Sequence, residues 1–364
     1  MFELDRELAQ DIVDRAMAIL PGNVNVMDSQ GLILGSGEPG RIESRHEGAQ
    51  LVLSNRRVVE IDSHSALCLK GVQPGINLPL MHDDQLIGVL GLTGEPQALR
   101  TYAELLRMTA EMLVAQKQRE TERQWRKQRS EDVLALLLSD ASGSARLFDE
   151  ALQLGLNPEL ARLPVVLEFT TPVRIESLCG WLMARAPDSW CVSLSPQSVL
   201  WCCPVRHGFD AHSYLERLDA HGWQPARMAV GTATRGLPAL RKVLASVKAL
   251  VAYGRAVIPQ ERLLPLARYR VATLLWAHRE DGAVEALLAI VEKVRAKDVS
   301  GQLLETLRCW CQLSGQMQLC AEALGLHRNT LRYRMDKIAE ITGMDLANLD
   351  HVIALYLAIQ LLPR

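Results

Sequence analysis

The chain has 364 residues, 48% of them hydrophobic and 23% charged, with a formal net charge of −2. That length exceeds one small core and predicts roughly two or three domains of ordinary globular composition. A near-neutral chain has no global basic field for nucleic acid, and no run approaches about 18 apolar residues, so no membrane span is expected.

The cysteines Cys68, Cys179, Cys191, Cys202, Cys203, Cys309, Cys311 and Cys320 form no C-x-x-C pair. The histidines have no zinc spacing. Reduced packing cysteines, no metal and no cofactor are therefore expected, in a cytoplasmic protein. The N-terminus MFELDRELAQ is acidic and amphipathic, unlike a signal peptide.

The first predicted element is an amphipathic helix over 4–20, with Leu8, Ile12, Ala16 and Ile19 near one face, stopped by Pro21-Gly22. A hairpin follows, with strands over 24–27 and 32–34 around the turn Asp28-Ser29-Gln30-Gly31. Residues 41–53 read as a second helix and 57–61 as a β-branched strand. A second hairpin joins 76–81 to 86–92 through His82-Asp83-Asp84-Gln85, where a solvated aspartate pair is the default. The order α-β-β-α-β-β-β-α is that of a small α+β sensor domain, an antiparallel sheet covered by helices.

A long helical pattern runs over 96–138, with Leu99, Tyr102, Leu106, Thr109 and Leu113 as its stripe. Over 116–132, QKQRETERQWRKQRSED, it becomes almost entirely polar. A lone helix of that kind is poorly held. Two copies packed together, a signal helix between domains, or a solvated linker each account for it.

Residues 163–260 read as an α+β middle domain, with strands over 164–170, 191–195, 199–204 and 228–232 and a helix over 236–254. Three helices follow, over 266–278, 282–296 and 302–313, in an all-α region 261–364. Within it, 317–342 reads as helix, turn, helix. Ala321 lets the helices approach, Gly325 permits the positive φ of the turn, and Leu331 anchors the second helix. That helix carries Leu331, Met335, Ile338 and Ile341 on one face and Arg328, Asn329, Arg332, Arg334 and Lys337 elsewhere, which suits a DNA major groove. The bland alternative is an αα-hairpin with solvated charges. The tail 352–362 is apolar nearly all round and is expected to be buried.

The stretch HRNTLRYRMDKIAEITGMDL and the apolar helix after it closely resemble the C-terminal helix-turn-helix of the purine-catabolism and sugar-diacid regulator families. One departure is Asp350-His351-Val352, where those families usually show Asp-Arg. The segment 1–115 resembles the sugar-diacid recognition domain through LAQDIVDRAM, NVNVMDSQGLILGSG, RIESRHEGAQLVL, GVQPGINLPL and IGVLGLTGEP, in that order. This resemblance implies a hydroxy-acid or sugar-diacid effector such as galactarate, glucarate or glycerate, and an activator of catabolic genes. It makes 116–162 a signalling helix and linker. It also implies that 163–260 is a degenerate relative of a cyclic-dinucleotide-synthesising domain. The G-G-D-E-F signature is absent there, so a structural, dimerising spacer is expected.

A hydroxy-acid carboxylate wants a guanidinium fork and free N–H groups at a helix start. Arg41 lies beside the expected start of the second helix, His46 about one turn in, Asn77 at a strand start and Thr93 at a strand end. The competing readings are a surface ion pair for Arg41 and a core histidine for His46. At the other end, Arg328 and Asn329 are the candidates for base edges, and Arg332 and Lys337 for phosphates. His327, Thr330 and Tyr333 complete that interface. One reading helix offers few base contacts, so a homodimer or higher homo-oligomer is expected. No catalytic constellation is found: there is no phosphate loop, no H-E-x-x-H, and no elbow around Ser36. A sugar-acid enzyme and a protein adaptor are the rival classes.

Overall fold

The structure is a computed structural model describing residues 4–20, 22–66, 73–139, 145–205 and 209–363. Pro21, half of the expected helix stop, and Cys68 lie outside the described residues. The chain divides into two compact units, 1–128 and 129–364.

The first unit contains α1 (Arg6–Met17), β1 (Val24–Asp28), β2 (Ile33–Ser36), a 3-10 turn (Pro39–Arg41), α2 (Glu47–Asn55), β3 (Val59–Ile61), the short α3 (Ser63–Ala66), β4 (Gly75–His82) and β5 (Gln85–Thr93). It also contains most of α4 (Pro96–Leu138), which continues past residue 128 into the second unit. The strands form an antiparallel sheet of order β2-β1-β5-β4-β3. Side chains alternate between faces along each strand. Val24, Val26, Ile76, Leu78 and Leu90 point to one face, where they meet Leu8 and Ile12 of α1 and Ala110 and Val114 of α4. Each such large aliphatic side chain contributes roughly 1.5–3 kcal/mol by leaving water. Met27, Ile33 and Val89 take the opposite face and meet Ala49 and Val52 of α2.

Local signals fix the turns. The Asp5 carboxylate caps α1 by accepting the Leu8 N–H at 2.8 Å. Asp28 accepts the N–H groups of Gln30 at 2.8 Å and Leu32 at 2.9 Å, closing the first hairpin. Asp83 and Asp84 both take positive φ, 46° and 58°, as a two-residue hairpin turn requires.

The second helix begins later than 41. Residues 42–46 pair with the β2 side instead: Ile33 N–H bonds Ser44 O, Glu43 N–H bonds Ile33 O, and His46 N–H bonds Gly31 O. Glu43 has φ +67°, which no helix tolerates. Arg41 therefore ends a 3-10 turn, and His46 is the N-cap of α2 rather than a residue one turn inside it.

In the second unit, α5 (Ala145–Gln153) precedes β6 (Arg162–Glu168), α6 (Ile175–Arg185), β7 (Trp190–Ser195), β8 (Ser198–Pro204), α7 (Ala211–Ala220), β9 (Arg227–Val230), α8 (Leu237–Val257) and β10 (Leu263–Pro265). The sheet order is β10-β9-β6-β8-β7, with β10 and β9 parallel and the other pairs antiparallel. Both its faces are mainly apolar, with buried Arg162 and Glu168 at the two ends of β6. Val166, Leu200 and Ala229 pack on α8, while Val165, Leu167, Trp201 and Met228 pack on α6 and α7.

Six helices complete the unit: α9 (Leu266–Ala277), α10 (Gly282–Lys297), α11 (Gln302–Gln312), α12 (Met317–Ala323), α13 (Arg328–Thr342) and α14 (Leu349–Ile359). Val291, Val294, Leu307, Trp310, Leu331, Ile338 and Leu355 belong to the shared core of α10–α14, while Leu266, Tyr269 and Ala272 of α9 pack in the core on α8. The α14 tail is buried on one side only. Leu355, Ala358 and Ile359 face the core, but Leu349, Ile353 and Tyr356 are exposed. The Tyr253 hydroxyl of α8 donates to Gln360 O at 3.1 Å, just past the end of α14.

No disulfide forms among the described cysteines. Among the described residues no helix is long and apolar enough to cross a membrane, and no cluster of ligating side chains could hold a metal ion.

Candidate ligand site and nucleic-acid interface

The nucleic-acid interface is built on α13. Gly325 has φ +63° between α12 and α13, and a Cβ there would meet no other atom. Its role is therefore conformational, and a residue with a Cβ would cost about 1–2 kcal/mol. His327 caps α13, its Nδ1 accepting the Asn329 N–H at 3.3 Å. Leu331, Met335 and Ile338 are buried beneath the helix. His327, Arg328, Asn329, Thr330 and Arg332 are exposed, as is Tyr333 at 68%.

Two cations behave differently from their neighbours. Arg334 leaves the open face and donates to Gln302 Oε1 at 2.7 Å and Thr306 Oγ1 at 3.3 Å on α11, so it ties the reading helix to its support. Lys337 is partly exposed and pairs with Glu340 at 2.8 Å, which raises the lysine pKa and lowers the glutamate's. A phosphate at Lys337 would compete with that carboxylate. At the family departure, His351 Nδ1 accepts the Asp345 N–H at 2.9 Å, so the histidine supplies a cap before α14.

The ligand candidates gather on the α2 side of the first sheet. Register places Ser36, Asn25, Gly91 and Asn77 in one row across β2, β1, β5 and β4, all on one face. Asn25 is 1% exposed, Ser36 2%, Asn77 4% and His46 8%. An ordinary covered face would be apolar, so a buried polar row has to be accounted for. The Ser36 hydroxyl donates to Asn25 Oδ1 at 2.6 Å and accepts the Glu38 N–H at 3.0 Å. Asn77 lies between two glycines. A Cβ on Gly48 would sit 2.9 Å from its Nδ2, and one on Gly91 2.9 Å from its Oδ1. Among the described residues the Asn77 amide makes no hydrogen bond, and its polar atoms keep a small opening to solvent.

His46 Nδ1 accepts the Ala49 N–H at 3.2 Å, which puts the ring proton on Nε2. Burial first, then the charge of Arg41, lowers its pKa to about 4, against a weaker opposing effect of Glu47. His46 is thus a neutral donor at physiological pH. Arg41 is half-buried and acts on the site through its charge. Thr93 shares the face of Gly91 at the end of β5, opposite Gly75, with its N–H donated to Asn23 O at 2.9 Å.

The structure therefore brings Arg41, His46 and Asn77 together and sets Thr93 one step along the same face. Sequence reasoning missed Asn25, Ser36, Gly48 and Gly91. Their signal was present in N-V-N-V and G-I-N-L, where asparagine recurs on the second face of two strands.

Residues 4–137 match the model of a putative sugar diacid recognition family, and residues 303–361 that of the PucR C-terminal helix-turn-helix domain. The chain is 32% identical to the carbohydrate diacid regulator of Escherichia coli K12, over 99% of its own length and 98% of the relative's. It is 31% identical to an uncharacterized protein of Haemophilus influenzae, over 98% of both chains. Among solved structures, a regulator of polyketide synthase expression from Bifidobacterium adolescentis aligns at 15% identity and a TM-score of 0.33, covering 64% of this chain and 91% of that one. The chain belongs to the carbohydrate diacid regulator family: it is a transcriptional regulator, not an enzyme, and its C-terminal helix-turn-helix is the DNA-binding part.

Proposed function

We propose that this protein is a cytoplasmic, ligand-responsive regulator, most simply an activator, of genes for sugar-diacid or related hydroxy-acid catabolism. Galactarate, glucarate and glycerate are the candidate effectors. The observation that carries this reading is the buried polar row on the first sheet, beside the donors of His46 and the charge of Arg41. Arg328 and Asn329 read base edges, and Arg332 and Lys337 hold phosphates. The α+β part at 163–260 serves as a spacer, a role supported by the apolar filling of both faces of its sheet.

Effector and DNA binding are linked. An effector shifts the protein only by its different affinity for two states, and the coupling is reciprocal. A tenfold change in DNA affinity needs about 1.4 kcal/mol. Calorimetric titration of the three acids, with and without operator DNA, should give two different affinities for the true effector, and Arg41→Ala should abolish the response. Equal affinities in the two titrations would reject the allosteric part of the reading.

The same proposal includes a homodimer. Tyr102, Leu105, Met108 and Met112 form an exposed apolar stripe on α4, and residues 119–128 of that helix are exposed throughout. A second copy laid along the stripe would cover it and steady the polar stretch beyond. Sedimentation equilibrium should report a dimer that Leu105→Glu with Met112→Glu turns into a monomer. A wild-type monomer at micromolar concentration would refute it.

A further inference from the structure

The open side of α13 carries acids as well as cations. Leu331, Met335, Ile338 and Thr342 are buried beneath the helix. The residues two places from them, about half a turn round, form the outward ridge: Asn329, Tyr333, Asp336 and Glu340. This ridge is neutral toward its N-terminal end and acidic toward its C-terminal end. A carboxylate on the exposed side of a DNA-binding helix repels the phosphates it approaches. Glu340 is not a bare acid, however. Its Oε2 lies 2.8 Å from the Nζ of Lys337, one turn back. The bond and charge of Lys337, and more weakly the charge of Lys297, hold its carboxyl below the usual range.

Lys297 is the last residue of α10, and it is exposed. That helix shares a core with the reading helix, through Val291, Val294 and Ile338. The acid next to it, Asp298, is turned to another task, its Oδ2 accepting the Leu304 N–H at 2.9 Å at the start of α11. Two lysines on two elements therefore share the single carboxylate of Glu340. A DNA backbone reaching this corner would offer both of them phosphate oxygens in its place. We propose that Glu340 is a built-in counter-ion that weakens DNA binding by masking Lys337 and Lys297, and that the phosphate-binding surface extends from α13 onto the end of α10. This rests on the phosphate role proposed above for Lys337 and adds to it a second element and an acid that opposes both. Masking of this kind is indifferent to base sequence, so it lowers affinity for operator and random DNA alike.

The test is fluorescence-anisotropy titration of the full chain on operator and random-sequence duplexes at several salt concentrations. Glu340→Gln should bind both duplexes roughly threefold to tenfold more tightly, with a salt slope steeper by about 1. Glu340→Asp keeps the charge and should stay closer to the wild type. Lys297→Ala should weaken both duplexes and flatten the slope by about 1. Both positions are exposed, so thermal midpoints should stay near the wild type's. Unchanged affinity and slope in Glu340→Gln would overturn the counter-ion, as would tighter binding confined to the operator, the mark of a base contact. An unchanged slope in Lys297→Ala would overturn the extension onto α10. Lys337→Ala separates this proposal from the reading beneath it. If that variant flattens the slope while Glu340→Gln changes nothing, the counter-ion alone falls; if it leaves the slope unchanged, the phosphate role of Lys337 falls with it.

Discussion

The two five-stranded sheets of this chain are closed in different ways. In the second unit, α6 and α7 cover one face and α8 the other over mainly apolar residues, with buried Arg162 and Glu168 confined to the two ends of β6 and held there by backbone carbonyls and by arginines. In the first unit, α1 and α4 close one face with aliphatic side chains, but the other holds an apolar patch under α2 and, beside it, buried Asn25, Ser36 and Asn77. The second unit keeps its buried charges at the ends of one strand, whereas the first unit lays neutral polar side chains in a row across its strands, a surface suited to a polar guest.

Core truncation should separate the sheets most strongly. Trp201 is fully buried in the second sheet, its indole N–H on Ser189 Oγ at 2.9 Å. Trp201→Ala should cost about 3–5 kcal/mol in denaturant unfolding. Asn77→Leu, at a similarly buried place in the first sheet, should leave stability equal or raise it by about 1 kcal/mol, because an unpaired amide is removed. Similar losses in both variants would erase the distinction.

A pH series sharpens the comparison. The folded-state pKa of His46 is about 4, below the ordinary 6.5, because burial and then Arg41 disfavour its charged form. Between these values the unfolded chain binds more protons, so stability rises with pH through the window. The His46 contribution is complete above pH 6.5 and is lost as pH falls toward 4, amounting to roughly 3 kcal/mol at most. Unfolding of the wild type should therefore weaken more steeply between these limits than that of His46→Asn, which keeps a capping side chain. Equal slopes would remove His46 from the account.

The reading helix, whose effects are read in DNA affinity rather than stability, has its own closed and open sides. Arg328→Ala should cost about 1–3 kcal/mol of operator affinity and relax preference at one position. Arg332→Ala should weaken all sequences alike and reduce the salt slope by about 1. Arg334→Ala should leave the salt slope unchanged, because its guanidinium is held by Gln302 and Thr306. Gel-shift titrations at several salt concentrations distinguish the three.

Much of this was legible in local sequence. Alternation over 76–92 located β4 and β5, the stripe from Leu99 to Leu113 lay on α4, and the spacing of Ala321, Gly325 and Leu331 located the reading head. What was not legible depended on distant partners. Residues 42–46 left the helical pattern because Ile33 and Gly31 captured their backbone. Arg334 turned inward toward Gln302, 32 residues away. The helix α6 carries Leu178, Trp181, Leu182 and Met183 around Gly180, a run with little periodicity to read. Of the ligand candidates, Asn77 and His46 could be named from residue type, but Gly48 and Gly91 become meaningful only when the register sets them beside Asn77.

The bond from Tyr253 to Gln360 has a consequence for how the reading head can be handled. Tyr253 is fully buried among the residues packed on α8, and it fastens the backbone 107 residues further on. The end of the chain is thereby stitched to the helix that covers the second sheet. An excised head of residues 303–361 would leave this carbonyl to water and lose the anchor. Its last turn should exchange amide hydrogens quickly in isolation, and slowly, together with α8, in the full chain. The spacer and the head then form one cooperative folding block, and exchanging heads between relatives would demand a matching tyrosine.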